Sequence, residues 1–163
     1  MFVALSGCGW VWYGAMRLFF VWSGAQGILA NPAYQSSKFI KTFTEYQPLP
    51  RMAVNANVLW MGLMIVGFFA ASAFFVLNNK LKGGWVRKGL MFGFLNWMLM
   101  TPWFEFYLPY NVMNEPMLLV LFEAVLWLCV SLCIGLFLSF TMNYTLQRKV
   151  KNHVIVKELP LRR

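Results

Sequence analysis

The sequence is poor in charged residues, and acidic residues are the scarcest of them. Only 12% of its 163 residues are charged, with five Asp and Glu against 14 Lys and Arg. A water-soluble domain usually has about a quarter charged residues, so there is too little polar side chain here to cover one. Hydrophobic residues make up 60% of the chain and aromatic residues 18%. This composition predicts a single-domain integral membrane protein.

Histidine and cysteine are also scarce, which limits the chemistry. The single histidine, His153, cannot supply both axial ligands of a haem or a histidine-rich metal site. Cys8, Cys129 and Cys133 contain no CxxC pair, so we interpret them as small core residues rather than a redox site. No Ser-His-Asp or Cys-His set can be assembled in the apolar runs. We therefore expect no metal, no cofactor and no catalytic residue.

Four apolar runs are long enough to cross a bilayer, which takes roughly 20 helical residues. They cover about 6–29, 57–78, 89–110 and 117–141. The sequence thus predicts an all-α, antiparallel bundle of four transmembrane helices within a membrane domain over 1–145, followed by a basic tail over 146–163. In architecture, though not in any motif, this resembles small four-span proteins of the bacterial inner membrane.

Most basic residues flank the apolar runs. Four of them lie between the second and third runs, and six follow Tyr144. The positive-inside rule then places both termini in the cytoplasm of a bacterial plasma membrane. This distribution also argues against a nucleic-acid partner. The tail suits either anionic lipid head groups or an acidic partner protein, through Arg148, Lys149, Lys151, Arg162 and Arg163.

The loop after the first run contains an amphipathic pattern. Phe39, Ile40 and Phe43 recur at helical spacing after Ser36 and Ser37. This pattern predicts a short helix with a capping serine, lying on the outer membrane surface. An irregular loop with interfacial aromatic residues is the alternative interpretation.

Two ionisable residues lie inside apolar runs, where an unpaired charge costs several kcal/mol. Arg17 shares a helix face with Trp10, Gly14, Val21 and Gly24. The glycines on this face allow close helix contact. Glu123 shares a face with Trp127 and with the small residues Ser131, Gly135 and Ser139. We expect both faces to point inward and to form a polar seam with Ser131 and Asn96, in which the side chain of Arg17 is long enough to reach Glu123. Such a seam either only fixes helix register, as a buried ion pair, or handles a transported proton, ion or polar ligand.

The outer ends of the third and fourth runs form a second group. Glu105 and Glu115 lie near the turn between these runs, so they and Glu123 should gather there. Pro102 should kink the third helix. Trp103 and Tyr107 predict an interfacial aromatic belt rather than a ligand cage. Arg51 and Arg17 are the candidate counter-charges.

Two functions remain open. The first is a non-enzymatic accessory or structural subunit that binds another membrane protein, or itself, through glycine-rich faces such as Gly89–Gly93. The second is a small oligomeric transporter or proton pathway that uses Arg17, Glu105 and Glu123. A membrane enzyme acting on lipid ranks below both, because no nucleophile or metal cluster is present.

Overall fold

The computed structural model describes the backbone of residues 2–22 and 25–158 and the side chains of 7–20 and 27–145. Six α-helices lie in these ranges: α1 Phe2–Phe20, α2 Ser37–Thr44, α3 Arg51–Val54, α4 Ala56–Leu77, α5 Trp85–Glu105 and α6 Met117–Glu158. A 3₁₀ turn covers Ile28–Ala30, and a π-helix covers Phe106–Val112. Two short antiparallel strands follow α1: β1 Val21–Trp22 and β2 Ala25–Gln26. The helical class predicted from the sequence is confirmed.

Two helices of the described chain are long and apolar enough to cross a membrane. They are α4 and the first 29 residues of α6, Met117–Thr145. Large apolar side chains on both are exposed, among them Phe69 on α4 and Leu118 on α6, the latter 81% exposed. Exposing such large apolar surfaces to water would cost much free energy, and a lipid environment removes that cost. The surface of the protein therefore agrees with a membrane location.

The first helix ends earlier than the apolar run does. The sequence predicted a helix to residue 29, but α1 ends at Phe20 and the β1–β2 hairpin follows. β-branched Val21 and glycine are weak helix formers, so helix propensity falls at this point. Gly27 then donates its amide to the carbonyl of Phe20 at 2.9 Å. A Cβ at position 27 would overlap the carbonyl of Phe19, so the chain needs glycine there. After Gly27 the chain enters the 3₁₀ turn Ile28–Ala30, in which Leu29 is fully buried.

Glycines bring α5 and α6 into close backbone contact. A Cβ on Gly93 would stand 2.5 Å from the carbonyl oxygen of Ser131, and one on Gly89 would stand 2.8 Å from the Cα of Leu136. Residue numbers that rise along α5 meet falling numbers on α6, so the two helices are antiparallel. Trp97 supports this register by donating its indole N–H to the carbonyl of Ala124 at 2.8 Å. The Gly89–Gly93 motif therefore packs inside the chain.

α1 packs against α4 and α6. Its buried face consists of Cys8, Ala15 and Phe19. The ring of Phe19 meets that of Trp127 edge to face at 5.1 Å, and Trp12 lies against the same indole at 5.1 Å. Trp127 is thus a common anchor for α1 and α6.

α2 is tied to the turn between α5 and α6. Ser36 caps α2, because its Oγ accepts the amide of Phe39 at 3.0 Å. The same hydroxyl donates to the carbonyl of Met113 at 2.6 Å, which joins residues 77 apart in the chain. The ring of Phe39 stacks on Phe20 at 6.0 Å. Ser36 therefore fixes both the start of α2 and the position of α2 beside the turn between α5 and α6.

Replacing Ser36 with alanine should lower the free energy of unfolding by about 2 kcal/mol. The lost cap accounts for about 1 kcal/mol, and the lost bond to Met113 accounts for a similar amount. Thermal unfolding in detergent measures the change. Ser37→Ala is the matched control, because Ser37 is exposed and should lose almost nothing. Equal losses in the two variants would contradict the assignment.

Candidate functional site

Three carboxyl groups converge at one end of the α5–α6 pair. Glu105 is the last residue of α5, Glu115 lies in the turn, and Glu123 lies in the second turn of α6. They are 2%, 3% and 3% exposed, respectively. The chain has five acidic residues in all, so most of its acidic side chains are buried in one cluster. We call these three residues the carboxyl cluster.

The irregular turn between the helices places Glu115 beside the other two. After Glu105 the chain follows the π-helix Phe106–Val112, which contains Pro109. The amide of Glu115 donates back to the carbonyl of Pro109 at 3.0 Å. Asn114 reverses the chain with φ 56°, a left-handed conformation that asparagine adopts more readily than most residues. Segments of π-helix occur frequently at functional sites.

Glu123 stands at the centre of the carboxyl cluster. Its carboxyl lies within hydrogen-bonding reach of both Glu105 and Glu115. At the two ends, the indole of Trp127 donates to Glu105, and the amide of Gln35 contacts Glu115. Gln35 is held in place because its Nε2 also donates to the carbonyl of Leu29 at 2.8 Å. Both flanking groups are neutral, so neither balances a negative charge.

Each carboxyl retains an oxygen without a donor. These atoms are Oε2 of Glu105, Oε2 of Glu115 and Oε1 of Glu123. No Lys or Arg among the described residues acts on any of the three groups. Burial raises the pKa of Glu115, and hydrogen bonds with Glu123 and Gln35 oppose part of that rise. A protonated carboxyl can donate to a neighbouring oxygen, so a shared proton would satisfy part of the cluster. Within the described ranges, no group of His, Cys, Asp and Glu has the arrangement of a metal site.

The structure does not bring Arg17 and Glu123 together. Arg17 is exposed, whereas Glu123 is buried. The described part of the predicted α1 face is exposed: Trp10 is 57% exposed, although its ring meets that of Trp60 on α4 at 6.5 Å, and a Cβ at Gly14 would meet nothing within 4 Å. The face that packs is the one with Cys8, Ala15 and Phe19. α1 is apolar on both sides, so its residue spacing did not distinguish the two faces. Val21 and Gly24, predicted for the same face, lie outside the described side chains.

The other predicted polar residues are distributed as follows. Ser131 is 1% exposed and its Oγ has no partner. Asn96 is half-buried, and Arg51 is exposed. Trp103 and Tyr107 are exposed, with their rings stacked at 5.2 Å. Neither Asn96 nor Arg51 joins the carboxyl cluster, so Arg51 is not its counter-charge.

The sequence did not predict that Gln35 lies at the carboxyl cluster, nor that Trp12 packs against Trp127. Gln35 is buried at the carboxyl cluster, but nothing in its neighbourhood along the chain distinguishes it from other polar loop residues. The Nε1 of Trp12, which lies against Trp127, has no partner. The predicted lipid- or partner-binding side chains of the tail lie outside the described side chains: Arg148, Lys149, Lys151, Arg162 and Arg163.

Comparison of the chain with family models, curated proteins and solved structures finds no match.

Proposed function

We propose that the chain is a proton-binding membrane protein that takes up and releases a proton at the carboxyl cluster, as part of a proton pathway. The observation that carries this proposal is the burial of Glu105, Glu115 and Glu123 beside one another, with no Lys or Arg among the described side chains acting on them. In the proposed arrangement, α1, α4, α5 and α6 span a bacterial plasma membrane. Both termini lie in the cytoplasm, because the basic residues flank that side.

A proton is the ligand that this geometry favours. Ionising adjacent buried carboxyls is costly because of both desolvation and mutual repulsion, so the group holds protons instead. The three carboxyls are neutral when they hold three protons, and after one proton leaves, the remaining two can hydrogen-bond the single negative charge. Proton relays in membrane proteins use intramembrane carboxyls in this way.

The position of the cluster supports access from the outer side. Glu115 lies in the turn between α5 and α6, and Gln35 approaches it from the loop that carries α2. In the proposed arrangement α2 lies on the outer membrane surface, with Phe39 and Phe43 in the interface. Further along α6, the unpartnered hydroxyl of Ser131 lies eight residues after Glu123, or about 12 Å. Ser131 is therefore the next polar group inward on the buried face of α6.

Infrared spectroscopy tests the proposal directly. Protonated carboxylic acids have a carbonyl stretching band that carboxylates lack, so a pH titration in detergent counts the protons held. We expect Glu123→Gln to remove or shift this band, whereas Glu45→Gln leaves it unchanged. Glu45 is the matched control because it is an exposed carboxyl in the outer loop. An absence of the band in the wild-type protein at neutral pH would overturn the proposal.

Flux measurements test the pathway itself. In vesicles that contain a pH-sensitive dye, the wild-type protein should dissipate a proton gradient. Glu123→Gln should slow this by about a hundredfold or more, the range attributed to a positioned proton-transfer group. Glu45→Gln should retain the wild-type rate. Equal rates for Glu123→Gln and the wild type would show that protons do not pass through the cluster.

A second candidate function is that of an accessory subunit of a larger membrane complex. Arg17 favours it, because this exposed cation has no partner among the described residues. In the proposed arrangement its helix crosses the bilayer, and Arg17 lies in the last turn of that helix, where it is open to an acidic group of a partner.

A further inference from the structure

Gln35 is held firmly at the carboxyl cluster by bonds to the backbone. Its side chain is 7% exposed. The Oε1 atom accepts the amide N–H of Ser36 at 2.6 Å, and Nε2 donates to the carbonyl of Leu29 at 2.8 Å. Leu29 is fully buried, and the hydroxyl of Ser36 is bonded in turn to the carbonyl of Met113. Both ends of the Gln35 amide are therefore fixed by the fold.

These bonds decide which end of the amide meets Glu115. A side-chain amide can offer either its oxygen or its nitrogen to a neighbour, and the surrounding hydrogen bonds determine which. In Gln35 a backbone donor engages the oxygen. The nitrogen gives one hydrogen to Leu29 and has a second to give. Gln35 therefore presents an N–H group to the carboxyl of Glu115.

The direction of this contact matters for the proton of Glu115. An N–H group stabilises a carboxylate, and it cannot accept a hydrogen bond from the protonated acid. Burial raises the pKa of Glu115, and the hydrogen bond from Gln35 opposes part of that rise. Within the carboxyl cluster, the acceptor for a proton on Glu115 is Glu123. Gln35 thus favours the charged form of Glu115 without competing for its proton.

Glu115 also differs from the other two carboxyls in its position along the chain. It lies in the turn between the π-helix and α6, and its neighbours Asn114 and Pro116 are exposed. Glu105 ends α5 between two exposed phenylalanines, and Glu123 lies within α6. In the proposed arrangement those phenylalanines lie in the apolar or interfacial region of the membrane. Glu115 is therefore the carboxyl nearest to a polar surface.

We propose that Glu115 is the group through which the carboxyl cluster exchanges protons with the outer solution, and that Gln35 is its positioning residue. Release transfers the proton of Glu115 to water and leaves a carboxylate that the N–H of Gln35 stabilises. A proton from Glu123 then passes to Glu115, and the negative charge moves to Glu123. Glu105 and Glu123 are the titratable groups that face Glu115, and no Lys or Arg among the described residues acts on it. This inference rests on the proton-binding function proposed above and assigns roles within it.

Replacing Gln35 with methionine tests the positioning role. Methionine is similar in length but has no N–H, so the carboxylate of Glu115 loses a donor. In the infrared titration, the first proton lost as the pH rises should be lost about one pH unit higher, as expected for a hydrogen bond to a charged group. The pH profile of proton flux should shift in the same direction. Gln47→Met is the matched control, because Gln47 is exposed and both curves should stay in place.

The titration separates this role from a purely structural one. If Gln35 only supports the loop before α2, Gln35→Met lowers the melting temperature but leaves the first ionisation at the wild-type pH. That result would overturn the inference, even with the infrared band of the protonated carboxyls present in the wild type.

Glutamine at position 115 tests the exchange role without the Gln35 variant. Glu115→Gln is neutral and close in size to the protonated acid, so the fold should be retained. We expect the first ionisation to disappear, the band of the other carboxyls to persist, and proton flux to fall about a hundredfold. Flux at the wild-type rate would overturn the inference and leave the proposed function standing, because protons would then enter through Glu105 or Glu123. Absence of the band in the wild type would instead remove the proposed function, so the two failures are distinguishable.

Discussion

Alanine at position 135 should lower the melting temperature of the protein by about 10 °C. A Cβ on Gly135 would overlap the carbonyl oxygen of Gly89 and lie 2.7 Å from the amide nitrogen of Gly93. These atoms belong to the backbone of α5, so no side-chain rotation relieves the clash. Overpacking of this kind costs about 3 kcal/mol or more, and each kcal/mol corresponds to roughly 2–4 °C for a chain of this size. Thermal unfolding in detergent, followed by tryptophan fluorescence, measures the change.

The same substitution at Gly62 is the matched control. Gly62 lies within α4, and an added Cβ there would meet nothing within 4 Å. Because alanine is a better helix former than glycine, Gly62→Ala should gain about 0.5–1 kcal/mol. If Gly135→Ala were as stable as Gly62→Ala, the close contact between α5 and α6 would be wrong.

Stability should fall as the pH rises, with a slope set by the carboxyl cluster. Burial raises the folded-state pKa of Glu115 above its ordinary value of 4.5. Folding therefore favours the protonated form, and the stabilisation is fully present below the unfolded-state pKa. It is lost as the pH rises through the folded-state pKa. Each unit of increase in pKa contributes about 1.4 kcal/mol, or roughly 3–5 °C in melting temperature.

Melting temperatures measured between about pH 5 and about pH 8 test this dependence. The groups facing Glu115 are the carboxyls of Glu105 and Glu123 and the neutral amide of Gln35. The combined replacement of the three carboxyls by glutamine should flatten the profile. Glu45→Gln should retain the wild-type slope, because Glu45 is exposed. A wild-type melting temperature that rises with pH is incompatible with a protonated cluster.

The buried face of α6 was predictable because its polar residues are unusual. Glu123, Ser131 and Ser139 recur at intervals of eight residues in an otherwise apolar run, and all three are buried. A polar side chain in such a helix avoids lipid, so its direction identifies the inner face. The gathering of Glu105, Glu115 and Glu123 followed from the short turn between two antiparallel helices. In both cases the residues of α6 and of the turn before it were sufficient to predict the arrangement.

Which face of α1 is buried could not be predicted in the same way. Gly14 suggested a packing face, but Ala15 on another side is equally small and is the buried one. Arg17 was assumed to avoid lipid by turning inward, which holds only when the chain supplies its own counter-charge. The fold instead leaves Arg17 exposed on the outside of the chain. The assumption that a charged residue in an apolar helix turns inward therefore failed for α1. The orientation of α1 depends on contacts with α4 and α6 that its own residues do not encode.

The ends of the helices were also difficult to predict. Apolar composition extends through Val21 and Trp22, so the hairpin after Phe20 had no polar signal. At the same end of the bundle, the chain after Glu105 continues as a π-helix to Val112 although that segment contains Pro109. Hydrophobicity determines which segments avoid water, but it does not determine where a helix changes its hydrogen-bonding pattern.

The unbroken length of α6 has a mechanical consequence. Its 42 residues extend about 63 Å as a continuous helix, roughly twice the thickness of a hydrocarbon core. The 29-residue apolar part ends at Thr145, so about 20 Å of rod continues past it. A displacement at the carboxyl cluster would be transmitted along this rod without an intervening hinge. A continuous helix would therefore couple the turn beside Glu115 to the far end of α6 as one stiff element.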